Sequence, residues 1–369
     1  MSGSSDRLSW VDSAKGISII LVVMMYSVFN VGQDADGVGL FHYVIAFATP
    51  FRMPEFFLIS GLFLSLVIAR PWAHYADRRV VHYFYFYLLW MAIHLVVKIA
   101  IASGQPVEAA QQIALGIIEP YGVLWFIYLL AVFSATTKLC HTLKIPHVVV
   151  LAIGAVLEMG NFSLPPLYYL VEQFCHYFVF FYCGYLFAPR IFKLVDWAMD
   201  HVALGIAGLI AWAALEAALV FSPGFGLYPD HVDLGIAGFP GLRLCLAVIG
   251  AVALCVSGGL LSKLRFMDWL RWLGEHSLVV YLAFVLPMTF FRAALVKLNL
   301  VHNVTLASFS VMAVAILFSV GLYAIVQWSG RGKFLFERPS WAHVPGTPGS
   351  RRHLRDRAVS AAPAAVAAE

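Results

Sequence analysis

Two pairs of polar residues lie inside apolar stretches of this chain. In KGISIILVVMMYS, Lys15 opens an apolar run and Tyr26 follows eleven residues later. Successive helical residues turn by about 100° and rise by about 1.5 Å, so Tyr26 would lie within about 20° of the face of Lys15 and about 16 Å further along. Asp12 falls near the same face. A polar stripe is predicted; the alternative is that Lys15 anchors the helix end and Tyr26 is a packing residue.

The second pair is Arg52 and Glu55 in FRMPEFFLISGLFL, near the middle of a long apolar run. Charges inside a membrane are costly, so such residues are functional candidates. This pair could orient a substrate, or the two charges could neutralise each other across a break at Pro54. Ser60 and Gly61 supply a small surface that another helix or a ligand can approach closely.

Composition indicates which elements must hold these residues. The 369 residues are 62% hydrophobic and 12% charged, whereas soluble domains carry about 25% charged residues. A span needs roughly 20 apolar residues, and ten such runs lie near 14–31, 41–69, 80–102, 121–138, 146–160, 170–188, 202–222, 236–261, 277–298 and 303–328. We predict an all-α, polytopic membrane protein with about ten transmembrane helices. Its five scattered cysteines predict neither a metal site nor a disulfide.

The distribution of basic residues predicts the orientation. With a cytoplasmic N-terminus, 19 of the 24 Lys and Arg residues fall on the cytoplasmic side, which favours an even number of spans with both termini inside. The predicted organisation is a cytoplasmic N-terminus at 1–13, a ten-helix domain at 14–328 and a cytoplasmic tail at 329–369. The tail is rich in Pro, Ala and Arg from about residue 344, where disorder is expected.

Two further stretches contain recognisable elements. EPYGVLWFIYLL holds Trp125 and Tyr128, which are typical of interfacial or packing aromatics. LGEHSLVVYLAFVLPM places Glu275 and Ser277 at a helix start, and Pro287 predicts a kink in the ninth run.

Together these stretches resemble the acyltransferase-3 family of integral membrane acyltransferases, over about residues 8–328. The family signature has a cation and then a histidine in the first helix, FF-x-ISG in the second, LWF in the fourth and SL-x-x-YL in the ninth. Four stretches carry the likeness here: Lys15 with residue 26, FFLISG at 56–61, LWF at 124–126 and SLVVYL at 277–282.

The resemblance implies transfer of an acyl group, acetyl or succinyl in type, to a hydroxyl of an envelope glycan or lipid at the inner (plasma) membrane. The donor would be acyl-coenzyme A, a substrate rather than a bound cofactor, and no nucleic acid is expected as a partner. Lys15 would face the donor phosphates, and Arg78 and Arg79 would help to hold them. Asp12, Ser60 and Trp125 are further candidates for substrate binding, and Tyr26, Arg52 and Glu55 for catalysis.

The main departure from the family pattern is Tyr26, which stands where relatives have histidine. An imidazole titrates near pH ~6.5 and a phenol near pH ~10, so a phenol would need a cation such as Arg52 beside it to act as a base. Another histidine (His42, His94 or His176) could replace it. Three hypotheses follow: an active acyltransferase, a catalytically impaired relative that keeps the fold, and a transporter of an acylated or glycan substrate.

Overall fold

The computed structural model describes residues 5–102, 115–160 and 168–351. Its helices are α1 (Ser5–Ala35), α2 (Leu40–Ala48), α3 (Arg52–Leu62), α4 (Trp72–Ala76), α5 (His82–Ala102), α6 (Trp125–Thr142), α7 (His147–Met159), α8 (Tyr169–Asp200), α9 (Val202–Val220), α10 (Pro240–Ser262), α11 (Asp268–Glu275), α12 (Ser277–Ala283), α13 (Val285–Lys297) and α14 (Val304–Ser329). Two short strands, β1 (Gly226–Leu227) and β2 (Val232–Asp233), pair antiparallel.

The all-α, polytopic class is confirmed. Within the described residues, seven stretches are long and apolar enough to cross a membrane, and the number is eight if α12 and α13, bent by 49° at their break, are counted as one span. The helix α7 is a shorter apolar helix. Each of the ten predicted runs contains helix. The second predicted run is divided into α2 and α3, and the fifth corresponds to α7. Each of these three helices is too short to count as a straight span.

Two prolines account for the two broken runs. Pro54 is the third residue of α3 and Pro287 the third residue of α13. A proline ring clashes with the carbonyl four residues earlier and lacks the N–H that would bond to it. The breaks therefore lie one turn before each proline, at 49–51 and at Phe284. In the first turn of the new helix the missing N–H has no cost, because that donor would have no helical partner anyway.

The chain divides into two compact units, of which the first comprises Met1–Phe63, Pro146–Ser163 and Cys175–Tyr323. In this unit α1 packs against α2, α3 and the four helices α10 to α13. One buried apolar cluster of this unit joins α1, α3, α8 and α10, with Trp10, Leu58 and Ile191 among its members. Most of α1 is thereby enclosed by protein, which allows its polar residues to meet partners on neighbouring helices.

Small residues bring α3 and α8 into close contact within this unit. A Cβ added to Gly61 would overlap the carbonyl oxygen of Phe181, and one added to Gly184 would overlap that of Leu58. Each glycine thus allows the backbone of the opposite helix to approach closely, as small residues do between membrane helices. The contact fixes α3, and with it Arg52 and Glu55, against α8.

We expect Gly61→Ala to destabilise the protein by about 2 kcal/mol, the usual range for an overpacked core site. Thermal unfolding of the purified protein in detergent measures this loss. Gly208→Ala in α9 is the matched control, because a Cβ there meets nothing within 4 Å and alanine favours helix over glycine by about 1 kcal/mol. Equal melting temperatures for the two variants would contradict the close contact.

The second unit comprises Leu64–Ile145, Leu164–Phe174 and Ala324–Glu369. Between α4 and α5 the chain makes one π-helical turn, Asp77–Val81. Tyr75 donates its hydroxyl proton to the carbonyl of Ser134 at 2.7 Å. Lys138 donates to the carbonyl of Ile68 at 2.6 Å. These bonds tie α4 and the segment before it to α6.

The described part of the C-terminal tail makes contacts that its composition does not reveal. The backbone N–H of Val344 donates to Asp77 Oδ1 at 2.7 Å, and Thr347 and Ser350 are buried. Disorder from about residue 344 stays a prediction, and composition does not reveal a bond to a buried carboxylate far along the chain. The predicted disordered segment beyond 351, like residues 1–4 of the predicted N-terminal segment, lies outside the described residues.

Candidate functional site

The N-terminal half of α1 carries an exposed ion pair. Lys15 Nζ lies 3.3 Å from Asp12 Oδ1, one turn earlier, and the two side chains are 32% and 24% exposed. The ammonium also lies 5.9 Å from the centre of the Phe63 ring, which favours a cation there. Exposed pairs contribute at most about 1 kcal/mol, so an anionic ligand could take the place of Asp12 at small cost.

Further along α1, Ser18 meets Glu55 of α3 in a fully enclosed position. Ser18 Oγ lies 2.7 and 2.5 Å from the two carboxyl oxygens and 2.7 Å from the carbonyl of Ala14. Glu55 has no exposed surface. A hydroxyl carries one proton, so a protonated Glu55 that donates to Ser18 would satisfy the whole set. This carboxyl thus joins α1 to α3.

Arg52 is a buried cation without an anionic partner. It is 8% exposed, and its Nε and Nη1 atoms have no hydrogen-bond partner. The ion pair with Glu55 that the sequence left open does not form, and in the described part of the chain no other carboxylate takes its place. Its electrostatic neighbours are two phenols, Tyr26 of α1 and Tyr177 of α8. An uncompensated buried charge is expensive, which indicates a role in ligand binding or catalysis.

Aromatic packing holds both phenols in place. The Tyr26 ring lies against Phe284, at the bend between α12 and α13, with ring centres 5.6 Å apart. The Tyr177 ring is stacked on Phe57 of α3 at 5.2 Å and an interplanar angle of 28°. Because each ring is fixed by a neighbour, the two hydroxyls have defined positions relative to the guanidinium of Arg52.

Tyr177 also links Arg52 to a second polar cluster. It interacts electrostatically with Arg243 of α10 and Glu158 of α7. Arg243 donates from Nε to Glu158 Oε1 at 3.1 Å, and its Nη2 lies 3.0 Å from the same oxygen. The Nη2 atom is also 3.3 Å from His176 Nδ1. Five helices (α1, α3, α7, α8 and α10) thus contribute to one polar group inside the first unit.

The predicted site residues fall into two sets. The first unit contains Asp12, Lys15, Tyr26, Arg52, Glu55 and Ser60. Of these, Tyr26 and Arg52 are brought together, whereas Ser60 donates its proton to the carbonyl of Phe56 in its own helix. The second unit contains Arg78, Arg79 and Trp125. Arg78 is exposed, Arg79 is half-buried and Trp125 is 8% exposed.

Sequence reasoning missed Ser18, Tyr177, Arg243 and Glu158 as site residues. Ser18 could have been found, because it follows Lys15 by one turn in an otherwise apolar run. The others are polar residues near predicted helix ends, and only the fold shows that they meet.

The three histidines considered as replacements for residue 26 have different surroundings. His176 belongs to the polar cluster through Arg243. His42 is fully buried and accepts from the backbone N–H of Gly39 at Nδ1, while its Nε2 lies 3.3 Å from the carbonyl of Pro229. His94 lies in the second unit. Of these three, His176 has a contact to the group around Arg52.

Comparison with known protein families identifies a match over most of the chain. The model of a family described as "Acyltransferase domain" matches residues 8–324 of this chain. Neither the curated proteins nor the solved structures contain a match.

Proposed function

Because the chain belongs to the acyltransferase-domain family, we propose that it transfers an acyl group from acyl-coenzyme A to a hydroxyl of an envelope glycan or lipid. Membership in that family and the membrane-spanning helices support a membrane-bound transferase. The choice of a thioester donor and a hydroxyl acceptor is the proposal. The proposal assigns the acyl transfer to the polar group around Arg52.

The observation that carries this proposal is the unpaired guanidinium of Arg52. Burying a cation without an anion costs free energy. Such a cation inside a membrane protein is therefore expected where a ligand brings negative charge or where negative charge develops during a reaction. Acyl transfer develops such a charge on the carbonyl oxygen of the tetrahedral intermediate. Fixed donors aimed at that oxygen stabilise it strongly in a site that excludes water. The free Nε and Nη1 atoms are donors of this kind.

In the proposed step, the acceptor hydroxyl oxygen attacks the carbonyl carbon of the thioester, and a carbon–oxygen bond forms. The carbon–sulfur bond then breaks, and coenzyme A leaves as the thiol. The proton lost by the hydroxyl is passed to the departing sulfur by Tyr26, whose hydroxyl can both accept and donate. Arg52 stabilises the charge on the carbonyl oxygen throughout, and Tyr177 keeps that guanidinium in position.

The donor would reach the site from the cytoplasmic side of the inner membrane. Lys15 lies in the N-terminal half of α1, on the side where the charge distribution predicts cytoplasm, and its weak pairing with Asp12 would leave it available for a phosphate. With both termini inside, the cluster around Arg243 would be near the outer surface, where a glycan is presented. The line from Lys15 to Tyr26 is about 16 Å along the helix, comparable with an extended pantetheine arm.

A catalytically impaired relative is the second candidate, and Tyr26 is the observation that favours it. A phenol in place of imidazole removes the residue that ordinarily exchanges protons near pH 7. The arrangement of Arg52 beside Tyr26 is the reason for preferring the active enzyme. A transporter of an acylated substrate is left as an outcome of the experiment below.

The experiment uses the full chain in sealed proteoliposomes supplied with acetyl- or succinyl-coenzyme A and an extract of envelope glycans and lipids. We expect release of free thiol that requires the extract, together with an acyl mass increment on one component by mass spectrometry. Thiol release without an acylated product would indicate hydrolysis. No consumption of either donor would favour the impaired relative. Movement of an acylated or glycan component across the bilayer without donor consumption would favour the transporter.

A further inference from the structure

A buried histidine in the first unit connects a loop to the start of a helix. His42, the third residue of α2, has no exposed surface. Its Nδ1 accepts from the backbone N–H of Gly39 at 3.1 Å, and its Nε2 lies 3.3 Å from the carbonyl oxygen of Pro229. Pro229 belongs to residues 228–231, here called the hairpin turn, which join β1 to β2. One imidazole ring thus bridges the hairpin turn and the first turn of α2.

The two backbone partners fix the protonation state of this ring. A backbone N–H can only donate, so Nδ1 must present a lone pair to Gly39. A carbonyl oxygen can only accept, so the ring hydrogen must be on Nε2, where it points to Pro229. A protonated ring carries hydrogen on both nitrogens, and its Nδ1–H would then face the N–H of Gly39. Both contacts can therefore be made only by the neutral imidazole.

The surroundings of His42 offer no compensation for a positive charge. The ring of Phe29 lies edge-on to it at 6.0 Å, and the positive end of the α2 dipole is beside it. Among the described residues, its electrostatic partners are the two backbone groups of Gly39 and Pro229. The titratable side chains at this end of the neighbouring elements are all exposed: Asp34, Asp36, Tyr43, Tyr228, Asp230, His231, Asp233 and His302.

The loop that carries the hairpin turn is attached at its base by bonds that do not titrate. Gly235 donates its backbone N–H to the carbonyl of Val220 at 3.2 Å, and that of Ile236 is bonded to Ser222 Oγ at 2.6 Å. The hairpin turn itself is seated on α1, because a Cβ added to Gly32 would overlap both the Pro229 carbonyl and the His42 ring. Loss of the His42 contact would thus free the turn while its base stays on α9.

We propose that His42 is an acid-sensitive latch, which holds the hairpin turn against α1 and α2 when neutral and releases it when protonated. The latch goes beyond the proposed function and does not depend on acyl transfer. The closed form contains only the neutral ring, whereas in the open form the ring meets water and titrates near pH ~6.5. The latch is therefore closed above that pH, and closure is lost progressively as the pH falls below it. Under the predicted orientation, the latch would respond to the pH outside the cell membrane.

The test measures amide hydrogen exchange of the full-length protein in detergent by mass spectrometry, expressed as protection factors that remove the intrinsic effect of pH. Linkage gives about a tenfold rise in opening for each pH unit below about 6.5. We therefore expect protection of residues 39–43 and 228–231 to fall about 100-fold between about pH 7.5 and about pH 4.5. His42→Gln should abolish this pH dependence, because glutamine at the third helical position can accept from the same N–H without titrating.

His231→Gln is the matched control, because His231 is an exposed histidine of the same turn that pairs with Asp230 at 2.6 Å, and the wild-type pH dependence should remain. Its loss in that control, its persistence in His42→Gln, or its absence from the wild type would overturn the inference. An equal fall in the protection of α10 would indicate general acid unfolding and would also overturn it. If His42→Gln does not fold, His42→Asn replaces it with the same expected result, and a persisting pH dependence is again decisive against the latch.

Discussion

Replacing Arg52 by glutamine is expected to reduce acyl transfer by about 10²- to 10³-fold, the usual effect of removing one fixed donor from an oxyanion site. The folded yield should stay the same or rise, because the variant no longer buries a cation that lacks an anionic partner. Single-turnover transfer from a labelled acyl-coenzyme A measures the first effect, and thermal unfolding in detergent measures the second.

The opposite signs of these two effects make the prediction specific. A residue that serves only the fold would lose activity and stability together. Arg271→Gln is the matched control, since Arg271 forms an exposed pair with Asp268 one turn earlier, and such pairs contribute little. If Arg52→Gln transferred acyl groups at the wild-type rate, Arg52 would have no part in the reaction.

Removing the hydroxyl of Tyr26 is expected to slow transfer by about 10²- to 10⁴-fold, the range for a positioned acid–base group. Tyr26→Phe keeps the ring that packs on Phe284, so folding should be unaffected. Tyr26→His should retain or raise activity, because imidazole exchanges a proton near neutral pH. The rates are measured at saturating donor across a range of pH.

Variants of two other tyrosines test whether Tyr26 or another phenol transfers the proton. Tyr43→Phe is the control, since Tyr43 is 49% exposed and its ring lies against that of Phe221, with ring centres 6.4 Å apart. Tyr177→Phe tests the other phenol beside Arg52. A large loss in Tyr177→Phe together with full activity in Tyr26→Phe would assign the proton transfer to Tyr177 and contradict the role proposed for Tyr26.

Local patterns in the sequence were sufficient for the helices and their breaks. Among the described residues, apolar runs located the seven stretches that are long and apolar enough to cross a membrane, and Pro54 and Pro287 located the two breaks because a proline ring clashes with the carbonyl four residues earlier. The stripe from Lys15 to Tyr26 stays a prediction from helical periodicity, which fixes which residues of one helix share a face. These features depend on residues within a few turns of one another.

Contacts between distant parts of the chain could not be predicted from local sequence patterns. Ser18 and Glu55 are 37 residues apart, and Asp77 and Arg338 are 261 apart. Periodicity gives the face of each residue but not the helix that it meets. The sequence therefore left open an ion pair between Arg52 and Glu55, and the fold instead gives Glu55 a serine and Arg52 two phenols.

The short helix α7 has a consequence for the lipid around it. Its 13 residues extend about 20 Å, against a hydrocarbon thickness of about 30 Å. If α7 crosses the bilayer, this mismatch would require the bilayer to thin beside it or water to enter at its end. Under the proposed function, Glu158, next to the last residue of α7, and its partner Arg243 would then lie in a hydrated depression below the headgroups. Such an indentation would let a hydrophilic acceptor approach Tyr177 without crossing a full leaflet of hydrocarbon.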